Sequence, residues 1–222
     1  MPDRLPWEPS GTPRAMKRAG MVIDLRRCIG CHACSVSCKT EHDVALGVFR
    51  TRVRYLEKPA ATQLAFLPLL CNHCQDAPCI PACPTEAMER GADGRVTVNH
   101  TKCDGNMECI SACPYDAIQL DPQTGIADKC DLCQHRTDVG MDPACVAACP
   151  TGTLRFGDMD DPNDAAMQYA KANNAKGFRE ESDAKPTVQY IGLEAWKEKA
   201  TIGGVQLNAD EDELIYVQKR VT

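Results

Sequence analysis

The chain has 222 residues, with 31 acidic against 25 basic and a net charge of −6; aromatic residues make up 5% of it, while 15 residues are cysteine. The charge supplies no basic face for nucleic acid, and an odd cysteine count does not close into a disulfide framework. A chain of one or two domains by length is here short of the large side chains that fill a core, which leaves cysteine as the candidate for holding the interior.

Residues 1–20 carry four prolines and no apolar leader segment, and read as an extended arm with Leu5 and Trp7 as candidate anchors on a partner. Met21 to Leu25 (MVIDL) predicts a short strand feeding Cys28-x2-Cys31-x2-Cys34-x3-Cys38. Arg26-Arg27 does not form a twin-arginine leader. Phe66 to Leu70 predicts the strand into the second run, Cys71-x2-Cys74-x4-Cys79-x3-Cys83-Pro84. The apolar stretch there, Leu64 to Cys71, is broken by Pro68 and far shorter than the ~20 residues of a membrane span.

Gly91-Ala92-Asp93-Gly94 predicts a tight hairpin, and Val96 to Asn99 leads to the third run, Cys103, then Cys109-x3-Cys113-Pro114. Counting three on from Cys103 and three back from Cys109 both reach Asn106, where a sixteenth cysteine would stand. Asp121 to Gly125 predicts a second hairpin turn, and Ile126-Ala127 precedes Cys130-x2-Cys133-x11-Cys145-x3-Cys149-Pro150. Asp161 as N-cap and Pro162 behind it predict a helix to about Asn174, stopped by Gly177, with Ala165, Ala166, Tyr169 and Ala170 on one face. Thr187 to Ile191 predicts a strand. The acidic run Asp210 to Glu213 reads as a solvated turn before Leu214 to Val217.

The first run has the bacterial ferredoxin spacing and the other three are variants of it. An x2 loop between thiolates wraps an iron–sulfur cubane and aims backbone N–H groups at its sulfurs. The fourth cysteine, expected at the start of a short helix, points away and ligates a second cluster, so the runs work in pairs. Proline follows it in three runs; Lys39 stands there in the first. Structural zinc also uses Cys-x2-Cys pairs, but it does not explain four-cysteine runs ending in x3-Cys-Pro. The fold expected is α+β: two pseudo-repeated bacterial ferredoxin-like units of short strands and helices, with a helical and extended C-terminal tail.

The passages MVIDLRRCIGCHACSVSCKTEH, LCNHCQDAPCIPACPTEAM, CISACPYDAI and KCDLCQHRTDVGMDPACVAACPTGTLRFGD resemble the four-cluster iron–sulfur subunit of the dimethyl sulfoxide reductase family of molybdoenzymes, which includes the polysulfide and tetrathionate reductases. The resemblance runs from about Met21 to Tyr190. It implies that Cys28, Cys31, Cys34 and Cys149 share one 4Fe-4S cluster, and that Cys38, Cys130, Cys133 and Cys145 share another. Cys71, Cys74, Cys79 and Cys113 would hold a third, and Cys83, Cys103 and Cys109 a fourth with its open corner at Asn106. Residues 21–70 and 121–157 would then form one unit, 71–120 an inserted second, and 158–222 a partner-binding tail.

An amide is a poor iron ligand beside three thiolates, so Asn106 implies three 4Fe-4S clusters and one 3Fe-4S cluster; the alternative is four 4Fe-4S clusters, with Asn106, water or Asp104 completing the last. No catalytic acid–base constellation, P-loop or dinucleotide fingerprint is present. The resemblance implies a non-catalytic, electron-transfer role in an oxidoreductase complex, linking a molybdopterin-containing catalytic subunit to an integral-membrane, quinone-interacting subunit. The chain would be peripheral to the membrane, on the periplasmic side by co-export with the catalytic subunit or on the cytoplasmic side. The alternative is a polyferredoxin-type subunit of a formate dehydrogenase or hydrogenase complex; an interaction scaffold stapled by zinc is the reading from another class. His73 and His135 lie inside cysteine runs and read as packed or exposed rather than as hydrogen-bonding to a cluster or partner, and Arg136 as the partner of a local carboxylate rather than of a cofactor.

Overall fold

The computed structural model describes residues 15–58, 63–197, 201–202 and 205–206. Its first strand, β1 (Ala19–Asp24), is buried at every position. A strand covered on both faces reads as a continuous apolar run, as Met21-Val22-Ile23 does. The helix α1 (Ala33–Glu41) follows the first cysteines. Then come a long hairpin, β2 (Thr51–Lys58) and β3 (Gln63–Leu70), and a short one, β4 (Met88–Arg90) and β5 (Val96–Val98), around the expected turn at residues 91–94. The helical turn α2 (Glu108–Ser111) leads to a second short hairpin, β6 (Ile118–Leu120) and β7 (Ala127–Lys129). Two helical turns, α3 (Gln134–Thr137) and α4 (Ala144–Ala147), precede β8 (Leu154–Asp158), α5 (Ala165–Ala172), β9 (Lys176–Gly177) and β10 (Gln189–Ile191). The last elements are α6 (Glu194–Lys197), β11 (Thr201–Ile202) and β12 (Val205–Gln206).

Two four-stranded sheets organise these elements, in the orders β8-β1-β10-β9 and β12-β11-β2-β3. In the first, β1 runs antiparallel to β8 and parallel to β10, pairing Met21 with Phe156 and Val22 with Gln189. One face of it, Val22, Met159 and Ile191, packs against Ala166 and Ala170 of α5 in a small core without cysteine. The opposite face, Met21 and Ile23, joins the main core. There Leu56 and Leu67 of the long hairpin meet Val96, Ile118, Leu132 and most of the cysteines. The Tyr190 hydroxyl ties the two sheets by donating to the Pro68 carbonyl at 3.0 Å.

Several expectations shift. The sequence predicts no strand at β2 or β8. Ala19 and Gly20 belong to β1 rather than to the arm, and Asp158 accepts from the Lys17 and Arg18 N–H groups at 2.8 and 3.0 Å. Leu5 and Trp7 lie outside the described residues, as does the segment 207–222 with its acidic run. The helix expected from Asp161-Pro162 starts later. Asp164 is its N-cap, accepting from Ala166 N at 2.7 Å and from Asp158 N at 2.9 Å. Asp161 only turns the chain, accepting from Asn163 N. Gly157 makes room for that cap, because a Cβ there would lie 2.2 Å from the Asp164 carboxylate. Ala166 and Ala170 face the sheet as expected, whereas Ala165 is exposed. The helices near the cysteine runs also begin earlier than expected. Cys34, Cys109 and Cys145 sit inside α1, α2 and α4, and the fourth cysteine follows the helical turn in two of the three cases.

Candidate metal centres

The loops ahead of these helices bend through the left-handed region, at Gly30 and His32 (φ 68° and 59°) in the first run and at Leu132 and Cys133 (φ 56° and 50°) in the fourth. Such bends fold an x2 loop back on itself, so that successive sulfurs face one point. Cys28, Cys31, Cys34 and Cys149 line one recess, walled by Val53, Pro68 and Leu154. Cys71, Cys74, Cys79 and Cys113 line a second, walled by Val96, Tyr115 and Ile118. Four sulfurs within apolar walls in each recess suit one kind of guest.

The other thiols are grouped by their electrostatic influence on one another. Burial pushes the Cys38 thiol up to about 12, and the neighbouring Cys133 adds to it. Burial raises Cys130 and Cys145 strongly, each with Cys38 beside it. Cys109 is pushed up to about 11 by burial, then by Cys83 and Cys103. Cys38, Cys130, Cys133 and Cys145 thus neighbour one another, and so do Cys83, Cys103 and Cys109. Thiols also act across these groups: Cys34 adds to the shift of Cys145, Cys71 to that of Cys130, and Cys109 to that of Cys79.

The chemistry of the donor set fits iron–sulfur clusters. Thiols so buried stay protonated on their own, and a metal that replaces the proton removes the cost of burying a thiolate. Backbone N–H groups already aim at the sulfurs: Ala87 N–H donates to Cys83 Sγ and Thr153 N–H to Cys149 Sγ, both at 3.3 Å. In each Cys-Pro-Thr sequence the threonine hydroxyl stands beside the sulfur as well, Thr85 at 3.5 Å and Thr151 at 3.6 Å. Burial works against ionisation at Cys83 and Cys149, yet these hydrogen bonds outweigh it and hold both thiols below their usual range.

The charges point the same way. Lys129 is 3% exposed, and among the described residues no carboxylate pairs with it. Its ammonium donates to the carbonyls of Val96 and Cys130 and lies 3.5 Å from Cys71 Sγ. A buried charge requires a counter-charge. Four thiolates around an iron–sulfur core supply a net negative one.

Asn106 is exposed in the loop between Cys103 and Cys109. Its Nδ2 donates to Asp104 Oδ1 at 2.6 Å and its Oδ1 accepts from Glu108 N–H at 3.0 Å. Both ends of the amide are thus engaged within the loop, and Asp104 is held by the same contacts. His73 is buried and accepts from Val96 N–H on Nδ1 at 3.0 Å; burial first, then Lys129 and Arg95, lower its pKa well below the usual range. His135 and Arg136 share the Glu41 carboxylate at 2.7 and 3.0 Å.

Four residues that matter to these sites were passed over in the sequence: Lys129, Asp128, Arg50 and His42. Lys129 follows Ala127 by two in β7 and shares its buried face, so strand alternation gave a signal for it. Asp128, between them, faces the other way and grips Arg50 through both oxygens, at 3.0 and 2.6 Å. Arg50 and His42 carried no local signal, since only folding brings residue 42 to Cys133. His42, Asp131 and His135 offer ligand atoms within 4.8 Å of one another. Arg50 stands 3.6 Å from Asp131 and 2.9 Å from His42 Nδ1, which makes the group a hydrogen-bond network around a guanidinium.

Residues 62–159 match the 4Fe-4S dicluster domain family. The chain is 40% identical to a tetrathionate reductase subunit of Salmonella typhimurium, over 86% of this chain and 79% of the relative. It is 32% identical to a putative dimethyl sulfoxide reductase iron–sulfur subunit of Halobacterium salinarum, over 92% and 91% of the two chains. It is 44% identical to a thiosulfate reductase electron transfer subunit of Salmonella typhi, over 64% and 76%. With cysteines converging on two recesses and relatives of this kind along nearly its whole length, the chain belongs to the family of iron–sulfur subunits of the dimethyl sulfoxide, polysulfide and tetrathionate reductases.

Proposed function

We infer that the chain is the electron-transfer subunit of a reductase complex, relaying single electrons through four iron–sulfur sites between a molybdopterin-containing catalytic subunit and a membrane subunit that exchanges electrons with quinone. The observation that carries this reading is that Cys28, Cys31, Cys34 and Cys149 line one recess and Cys71, Cys74, Cys79 and Cys113 another, with Lys129 reaching from Cys130 to Cys71. Bound clusters supply one-electron redox chemistry at each site. The chain's own work is to hold sulfurs, exclude water and set charge. Cys28, Cys31, Cys34 and Cys149 serve the first site; Cys38, Cys130, Cys133 and Cys145 the second; Cys71, Cys74, Cys79 and Cys113 the third; Cys83, Cys103 and Cys109 the last. The engaged amide of Asn106 supports an open corner there, and so a 3Fe-4S cluster. In domain terms, residues 21–70 and 121–157 would form one ferredoxin-like unit around 71–120.

The relatives' names, subunits of tetrathionate, dimethyl sulfoxide and thiosulfate reductases, support a place in such a complex, and the two partners are part of the reading proposed. Among the described residues no helix is long and apolar enough to cross a membrane, in keeping with attachment through a partner. Anaerobic EPR with iron counted on the same sample tests the reading. About 15 irons per chain and an oxidised three-iron signal are expected. About 16 irons without that signal would mean four complete cubanes. Stoichiometric zinc with little iron would overturn the relay.

A further inference from the structure

The second and third sites meet where Cys130 and Cys71 approach each other, and Lys129 stands at that junction. β7 delivers it there. The residue before Cys130 turns its side chain inward, and the ammonium reaches across to Cys71 Sγ while holding the Cys130 carbonyl at 3.0 Å. The carbonyl of Val96 anchors it from the neighbouring hairpin. The other buried cation nearby, Arg95, is paired with Asp93 and Asp138, at 2.9 and 3.3 Å. His73, packed between the two cations, is kept neutral. Arg90, the third cation near His73, is exposed, so among the described residues Lys129 is the one buried cation of this group that no carboxylate balances.

We propose that Lys129 is a fixed cation shared by the second and third sites, and that it raises the reduction potential of both so that an electron crosses from one ferredoxin-like half to the other without a steep step. The physical ground is simple. Each added electron makes a site more negative, and a buried ammonium 3.5 Å from one ligand sulfur favours that added charge with little screening by solvent. Because it also holds the backbone carbonyl of Cys130, a ligand of the second site, its field acts on both centres. In the proposed order the two outer sites lie beyond these junction cysteines. The inference rests on the relay reading.

The test is an EPR-monitored redox titration of the intact complex carrying Lys129→Gln or Lys129→Arg, with iron counted in each. In Lys129→Gln two of the four centres should become harder to reduce by about tenfold in their reduction equilibrium, close to 59 mV for one electron. The other two should hold, and Lys129→Arg should restore most of the shift. Unchanged potentials at wild-type iron content, a shift shared equally by all four, or equal shifts in the Gln and Arg variants would overturn the proposal. Should the variants lose iron, the wild-type complex grown with 15N-lysine decides. A lysine nitrogen coupled to a reduced centre in pulsed EPR is expected, and its absence would count against the proposal. A wild-type complex without iron–sulfur signals would instead sink the relay reading itself.

Discussion

His42 Nε2 lies 3.2 Å from the sulfur of Cys133, and the direction of the proton between them is fixed from the far side of the ring. Arg50 NH1 stands 2.9 Å from His42 Nδ1, and a guanidinium can only donate. Nδ1 is therefore the acceptor and the ring proton sits on Nε2, facing Cys133. Burial, foremost, and the Arg50 charge lower the pKa of His42, which keeps the ring neutral. Arg50 is itself held by Asp128, so a carboxylate, a guanidinium and an imidazole in series deliver one N–H to one ligand sulfur.

That N–H stabilises the more negative, reduced state of the second site. Replacing His42 with Phe should make a single centre harder to reduce, by roughly tenfold or about 59 mV. Arg50→Met, which frees the tautomer, should move the same centre by less. A redox titration of the complex reads both. The outcome differs from that of Lys129→Gln, where two centres move. A His42→Phe complex with all potentials unchanged would show that the imidazole only fills space.

The cysteine spacing made the site legible because ligand geometry is local: an x2 loop closes on a metal wherever it sits. The two short hairpins were legible for the same reason, through Gly91 to Gly94 and Asp121 to Gly125. β2 and β8 were not. In β2 the buried Leu56 stands at odd spacing from the buried Val53 while Tyr55 is exposed, which breaks the period-two pattern, and β8 is defined by its pairing with β1, a contact between residues more than 130 positions apart. The start of α5 was misplaced because Asp161 and Asp164 are equally good caps in sequence. Only Gly157 and the end of β8, brought beside Asp164 by folding, select between them. His42, Arg50 and Lys129 act across such distant contacts.

Asn106→Cys should close the open corner of the last site. The position is exposed, and its side chain takes part in a turn that a thiol does not need. The loss of the Asn106–Asp104 and Asn106–Glu108 hydrogen bonds costs about 1 kcal/mol each in such a loop. The expected result is a gain of about one iron per chain and disappearance of the oxidised three-iron EPR signal. Retention of that signal in the cysteine variant would mean that the residue at 106 does not face the site.

Asp24 ends β1 with its side chain 1% exposed. Burial opposes its charge, but hydrogen bonds from Arg26, at 2.8 and 2.7 Å, and from the Tyr169 hydroxyl, at 2.6 Å, bring its pKa below the ordinary carboxylate value. A folded-state pKa below the unfolded one stabilises the fold above the unfolded value of about 3.9, and the contribution is lost as pH falls through the folded value. Asp24→Asn should therefore lower stability by roughly 2 kcal/mol at pH 7. The gap from the wild type should stay constant down to about pH 5 and narrow only below about pH 4. Thermal unfolding across that range checks it, and a gap that closed between pH 7 and 6 would point to a histidine instead.

Removing iron should unfold the chain unevenly. The hairpins β4–β5 and β6–β7 pair only three residues per strand, and two-stranded ribbons of that size are marginal in water. What surrounds them is largely cysteine: Cys71, Cys74, Cys79, Cys83, Cys109 and Cys130 all belong to the main core. Without metal those sulfurs revert to buried thiols with no partner for the charge on Lys129, and the coupling of ligand binding to folding is lost. The sheet β8-β1-β10-β9 is different. Val22, Met159, Ala166, Ala170 and Ile191 bury its α5 face with no cysteine among them, and Asp158 and Asp164 close its edge with backbone hydrogen bonds. Hydrogen exchange after anaerobic chelation should show the amides of β4 to β7 losing protection first, while those of β1 and α5 persist longer. Simultaneous loss in both regions would mean that the clusters hold the whole chain as a single cooperative unit.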